Sequence, residues 1–110
     1  MTTQRHEFDL CVVGAGSAGY SAAEAARELG RSVAFVEGTG PLAGLCILRG
    51  CMPAKTLLHS AEVAHLVENA HEVGVEPKDV AVDVPAIVER KRRIIRNFAD
   101  SRIEEIKQFP

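Results

Sequence analysis

Apolar residues fall in two short unbroken runs near the start of the chain and at helical spacing through most of its remaining length. Phe8 to Val13, "FDLCVV", closes on Gly14, and Ser32 to Val36, "SVAFV", closes on Glu37 and Gly38. Runs of this length without polar alternation read as buried parallel strands, covered on both faces. Between them Ser17 to Leu29 is rich in alanine, is charged only at Glu24, Arg27 and Glu28, and stops at Gly30, as a helix does at its C-terminal end. The pattern predicts a β-α-β unit. Cys11 falls mid-strand in it and reads as a small buried hydrophobe.

The glycines and proline from Thr39 to Gly50 predict a loop. From Cys51 to Val73 the period becomes helical, with Leu57, Leu58, Ala61, Ala64, Leu66 and Val67 on one apolar face and Gly74 as the stop. After a connection through Pro77, a second helix is expected from near Pro85, striped by Ile87, Ile94, Ile95, Phe98, Ile103 and Ile106. Its other face carries the basic run Arg90 to Arg93. Glu89 and Arg93 stand four apart, so that face reads as a solvated surface laced with weak ion pairs.

Composition narrows the classes. The 110 residues are 46% hydrophobic with a net charge of -2, enough for one small domain with a core and no reason to expect nucleic acid or an anionic membrane as partner. The first ten residues contain Arg5 but no apolar signal core, and no window approaches the roughly 18 apolar residues of a membrane span. The chain therefore reads as cytoplasmic. In that reducing compartment two close cysteines are more often redox-active or metal-binding than structural.

Gly14, Gly16 and Gly19 have the G-x-G-x-x-G spacing between the first strand and the first helix. Gly14 permits a tight turn, Gly16 lets a pyrophosphate approach the backbone, and Gly19 allows close packing of helix on strand. The helix N-terminus adds free N–H donors, and Ser17 adds a hydroxyl. Glu37 ends the second strand about twenty residues later, where a carboxylate accepts from ribose hydroxyls and repels a 2′-phosphate. The site suits FAD or NAD and not NADP.

Cys46 and Cys51 are five apart in "AGLCILRGCMPAK". Within one helix such residues are about 8 to 9 Å apart, beyond the reach of about 4.4 to 6.8 Å that a disulfide allows. A bend between them is therefore required for bridging, and Gly50 is the residue best able to supply it. Pro53 then suits the first turn of the next helix, which puts Cys51 at a helix N-terminus with Lys55 one turn on. Both features favour a thiolate. A zinc site with His59 and His65 is the rival, although residues six apart on a helix point to different sides.

The joint pattern of cradle, acidic strand end and C-x-x-x-x-C-x-P-x-K resembles the flavoprotein disulfide reductases, over essentially the whole chain. The resemblance implies an α/β fold: a Rossmann-type FAD-binding β-α-β unit with parallel strands, followed by two long helices. It implies that Gly14, Gly16, Ser17 and Gly19 hold the FAD pyrophosphate and Glu37 the adenosine ribose. Cys46 and Cys51 would form the redox disulfide, with Cys46 as the thiol that exchanges with substrate, Cys51 as the thiol against the flavin, and Lys55 near the flavin. NAD(P)H would be the co-substrate and a dithiol, disulfide or metal ion the substrate, in a homodimeric parent.

The match is imperfect. Ala43, Leu45, Leu48 and Ala54 stand where the family has Gly, Thr, Asn and Ser, and Arg49 stands where it has an apolar residue. These departures bear on branch and substrate more than on the chemistry, with a lean towards dihydrolipoyl dehydrogenase and mercuric reductase. Residues 1–110 are expected to be the N-terminal portion of the FAD domain, without the NAD(P)H and dimerisation domains, incapable of full turnover alone and poorly soluble. The alternatives are an adenine-nucleotide-binding or thiol-sensing module, or a structural zinc module.

Overall fold

A computed structural model describes residues 4–38 and 40–109. Strand β1 (Leu10–Val13), helix α1 (Ser17–Glu28) and strand β2 (Val33–Val36) form the expected unit. The strands are parallel, with Leu10 opposite Val33 and Val12 opposite Phe35. Asp9 and Ser32 lock their entry: the Ser32 N–H and hydroxyl both donate to Asp9 Oδ2 at 2.8 Å, and the Asp9 N–H donates to Ser32 Oγ at 3.0 Å.

These donors, with Arg31 beside them, hold the Asp9 carboxyl below its usual range. A depressed folded-state value adds stability that is present above the unfolded value, near pH 4, and is lost as pH falls through the folded one. Asp9→Asn should therefore flatten the acid limb of a plot of urea midpoint against pH. An unchanged limb below pH ~4 would exclude that role.

The core lies on one side of the sheet. Val12 and Val33 pack with Ala23 of α1, and Leu10, Ala26, Phe35 and Phe109 close around them. On the other side Val13 is 82% exposed, Val36 is 50% exposed, and Cys11 is exposed. Cys11 is thus not the buried hydrophobe its apolar neighbours suggest. An unbroken apolar run marks a strand with both faces covered, and the described residues cover only the face towards α1.

The expected loop of residues 39–50 is in part helical: α2 runs over Gly44–Arg49. Thr39 lies outside the described residues. Helix α3 (Cys51–Glu68) starts where predicted, but α-geometry ends at Glu68 and a 3₁₀ turn carries the chain through Ala70–Val73 to Gly74 at φ 80°. Helix α4 (Val84–Lys107) begins at Asp83, whose carboxylate accepts from the Ala86 N–H at 2.9 Å, a cap worth about 1 kcal/mol.

Helices α3 and α4 lie side by side, and Arg90 Nη1 donates to the Thr56 carbonyl at 3.4 Å. One neighbour covers one face, so Leu58 and Leu66 of the predicted apolar face stay 66% and 63% exposed. On the outer face of α4, Glu89 pairs with Arg96 at 2.9 Å and Arg92 at 3.8 Å in place of Arg93. The end of α4 returns to α1, where Arg102 stacks on Tyr20 at 3.6 Å and Phe109 sits edge-on to Tyr20 and Phe35.

Candidate functional site

The turn after β1 uses its glycines for three different ends. Gly14 is at φ +94°, a conformation that side-chain-bearing residues rarely adopt. Gly16 precedes α1 in extended geometry with no side-chain cap, and a Cβ there would meet nothing within 4 Å. The first intrahelical bond, Tyr20 N–H to the Gly16 carbonyl at 2.9 Å, leaves the N–H groups of Ser17, Ala18 and Gly19 to that open space. Gly19 is the opposite case, because a Cβ would overlap the Gly14 carbonyl oxygen.

Glu37 closes the turn from the side. Its Oε2 accepts from the Ala15 N–H at 2.9 Å and its Oε1 from the Gly38 N–H at 3.1 Å, and these two backbone donors hold its carboxyl below the usual range. Each oxygen keeps a lone pair for a further donor. The carboxylate therefore both braces the glycine turn and faces solvent, whereas the sequence suggests only the second role.

Helix α2 is seated on this turn. Gly44 is at φ +74°, and a Cβ there would stand 2.6 Å from Gly16 Cα and 3.0 Å from the Ala15 carbonyl oxygen. The G-x-G-x-x-G spacing does not reach Gly44. A signal for it exists all the same, since it is the one glycine kept where the resembling family has a Gly-Gly pair.

At its other end α2 stops at Arg49, Gly50 turns the backbone (φ −120°, ψ −115°), and Cys51 opens α3 with Pro53 in the first turn. The two helices are separate, and the break sits at Gly50 as expected. It brings the two thiols close enough to act on each other: hydrogen bonding from the Cys51 side chain is the chief cause holding the Cys46 thiol below its ordinary value, aided by the N–H groups of Cys51 and Met52 and by the Lys55 charge.

The side chain and the charge of Cys46 push Cys51 up. The α3 N-terminus was expected to favour the Cys51 thiolate; the Cys51 N–H does act that way, but it serves Cys46 as well, together with the Met52 N–H, and the influence of Cys46 outweighs it at Cys51. Lys55 lowers both thiols. Lys55→Met should therefore move the thiolate titration of the reduced protein to higher pH, read from ultraviolet absorbance. A titration that does not move would remove Lys55 from the site.

His59 faces Glu62 at 3.9 Å and His65 lies against Asn69 on the exposed side of α3. Among the described residues no group of three or more His, Cys, Asp or Glu side chains is placed to hold a metal ion. Also among them, no helix is long and apolar enough to cross a membrane. Beside Glu37 lies an open cavity of about 230 Å³, walled by Pro41 and by the Leu45, Leu48 and Arg49 side of α2.

Comparison with known proteins gives one consistent likeness. The family described as "Pyridine nucleotide-disulphide oxidoreductase" matches residues 8–108. The chain is 39% identical over 93 residues to a dihydrolipoyl dehydrogenase of Chlamydia muridarum, covering 84% of this chain and 20% of that protein. It is 41% identical over 88 residues to a dihydrolipoyl dehydrogenase of Chlorobaculum parvum, covering 80% and 19%. A mercuric reductase of Streptomyces lividans is 38% identical over 89 residues, again covering 80% and 19%. The chain spans about a fifth of the length of these curated relatives.

Proposed function

Because the chain belongs to the pyridine nucleotide-disulphide oxidoreductase family, we propose that it supplies the FAD-holding, redox-disulfide part of a flavoprotein of the dihydrolipoyl dehydrogenase and mercuric reductase kind. The observation that carries this reading is the helix break at Gly50, which brings Cys46 of α2 and Cys51 of α3 close enough to act on each other's ionisation, with α2 seated against the glycine turn. The residues fit the dinucleotide. Gly16 leaves room for a pyrophosphate beside unpaired N–H groups, Ser17 adds a hydroxyl, Gly14 and Gly19 shape the turn, and Glu37 retains acceptors for a ribose.

Bound FAD supplies two-electron exchange between a nicotinamide and the Cys46–Cys51 disulfide. The remaining steps belong to the thiols. Cys46, the thiol that ionises first, attacks one sulfur of a substrate disulfide, forms a mixed disulfide and releases the other substrate sulfur as a thiolate. With Cys46 so bonded, the two largest influences raising Cys51 are gone, and its backbone N–H bond and Lys55 remain to favour its thiolate. Cys51 then attacks Cys46 Sγ. The substrate leaves as a dithiol, and the protein pair has lost the two electrons the substrate gained. In the opposite direction the pair oxidises a dithiol.

The chain accounts for the N-terminal portion of the FAD domain, and the bare outer face of the sheet is where further layers of that domain belong. NAD(P)H binding and the partner subunit of a cytoplasmic homodimer belong to sequence beyond these residues, and the 110 residues alone do not turn over. The test is the visible spectrum of the natural-length protein during stepwise anaerobic reduction. A yellow protein that gains a long-wavelength band after two electrons, absent in Cys51→Ser, supports the reading. A colourless protein that takes up no FAD ends it.

A further inference from the structure

A second cavity, of about 410 Å³, opens between α3, α4 and the stretch that leads into α4. It falls within the range of about 300 to 1,000 Å³ that takes small molecules, and none of its walls belongs to the glycine turn, to Glu37 or to the thiol pair. Val63, Ala64 and Val67 of α3 lie across it from Ile87 of α4. Val80 and Val82, both more than half exposed, supply a third wall that needs only to be apolar.

The polar groups in this cleft are unequally engaged. Ser60 Oγ donates to the Thr56 carbonyl at 3.4 Å, His59 lies 3.9 Å from Glu62, and Asp83 accepts from the Ala86 N–H as the cap of α4. Arg90 is different. Its guanidinium carries five N–H donors, yet among the described residues it makes one long hydrogen bond, to the Thr56 carbonyl at 3.4 Å, and no ion pair, while Arg92 and Arg96 on the outer face share Glu89. Half-buried among apolar side chains, this cation has lost water without gaining a carboxylate. Asp83 stands seven residues before it, about 10 Å away along the same helix. The cleft is therefore cationic at one end and anionic at the other.

We propose that this cleft binds a monocarboxylate with an unbranched apolar chain, its head on the Arg90 guanidinium and its chain along Val63, Val67 and Ile87. The arginine fork matches the two oxygens of a carboxylate, and each methylene taken out of water tightens binding by up to about fourfold. A second carboxylate at the far end of the chain would meet Asp83, and a neutral head would gain nothing from the Arg90 charge. The site is independent of the flavin reading.

The test is calorimetry on the natural-length protein with acetate, octanoate, octanamide, octylamine and the eight-carbon dicarboxylate suberate as probes. Octanoate should bind once per chain, with acetate, octanamide and suberate each at least tenfold weaker. Arg90→Met should weaken octanoate by about ten- to a hundred-fold and leave octanamide unchanged. Ala64→Met, which fills the floor and stays compatible with a helix, should weaken both. No binding of octanoate overturns the proposal, as does octanoate binding that Arg90→Met leaves unaltered, or octylamine bound as tightly as octanoate. If Arg90→Met does not fold, octanoate binding that survives Ala64→Met overturns it instead.

Discussion

Cys46→Ser is expected to lower disulfide reduction by the natural-length protein by about 10³-fold or more, the scale on which removal of a covalent nucleophile acts. Serine keeps the volume but ionises far too weakly to attack a disulfide. Cys51→Ser should fail differently, because Cys46 remains able to attack and only the resolving step is lost. It should accumulate a covalent adduct with a small aromatic disulfide, seen by mass spectrometry as one added thiol per chain at Cys46. The order of ionisation sets this asymmetry: the Cys51 S–H supports the Cys46 thiolate, and the hydroxyl introduced by Cys51→Ser can still donate to it. Turnover within tenfold of wild type for Cys46→Ser, or an adduct at Cys51 in that variant as abundant as the one at Cys46 in Cys51→Ser, would reverse the assignment.

Gly44→Ala should be among the most damaging single-methyl changes in the cradle. Alanine at φ +74° costs about 1 to 2 kcal/mol, and its Cβ would press on the backbone at Gly16 Cα, where nothing can swing aside. Overpacking of that kind adds about 1 to 3 kcal/mol, so the expected loss is about 2 to 5 kcal/mol, a large share of a total that rarely exceeds about 15. Because the displaced atoms are those that would hold the pyrophosphate, FAD should be lost before the fold is. Gly38→Ala, with no neighbour within 4 Å and no positive φ, serves as the stability control and should cost no more than about 0.5 kcal/mol. Denaturant midpoints of the two variants decide it, and equal midpoints would show that α2 is not seated on the turn.

Much of this architecture is readable from the residues alone. The strand–glycine–helix order, the acidic strand end and the break at Gly50 each follow from a residue type whose backbone or charge has few alternatives. Helix α2 is not legible because six residues are less than two turns, too short for a period to register against flanking glycines and a proline. The exposure of Cys11 escapes the sequence because an apolar run reports what a strand can tolerate on both faces, not what lies against them. The ionisation order of the thiols escapes it because sequence places Cys51 at the helix end, whereas the bend at Gly50 sets Cys46 against the same N–H groups and against Lys55. Arg49 is visible only as an oddity, and the cavity it lines exists only once the stretch from Glu37 to Arg49 has folded back on itself.

The seating of Gly44 on Gly16 has a consequence for descent. Six helical residues join the nucleotide turn to the thiol turn with no slack between them, and each added residue would rotate the downstream helix by about 100°. An insertion there carries Cys51 away from Cys46, whereas the connection from Val75 to Val82 has no helix or strand to put out of phase. Lineages of this protein should therefore vary in length across residues 75–82 and not across 44–50. Two motifs that look like separate acquisitions are heritable only together.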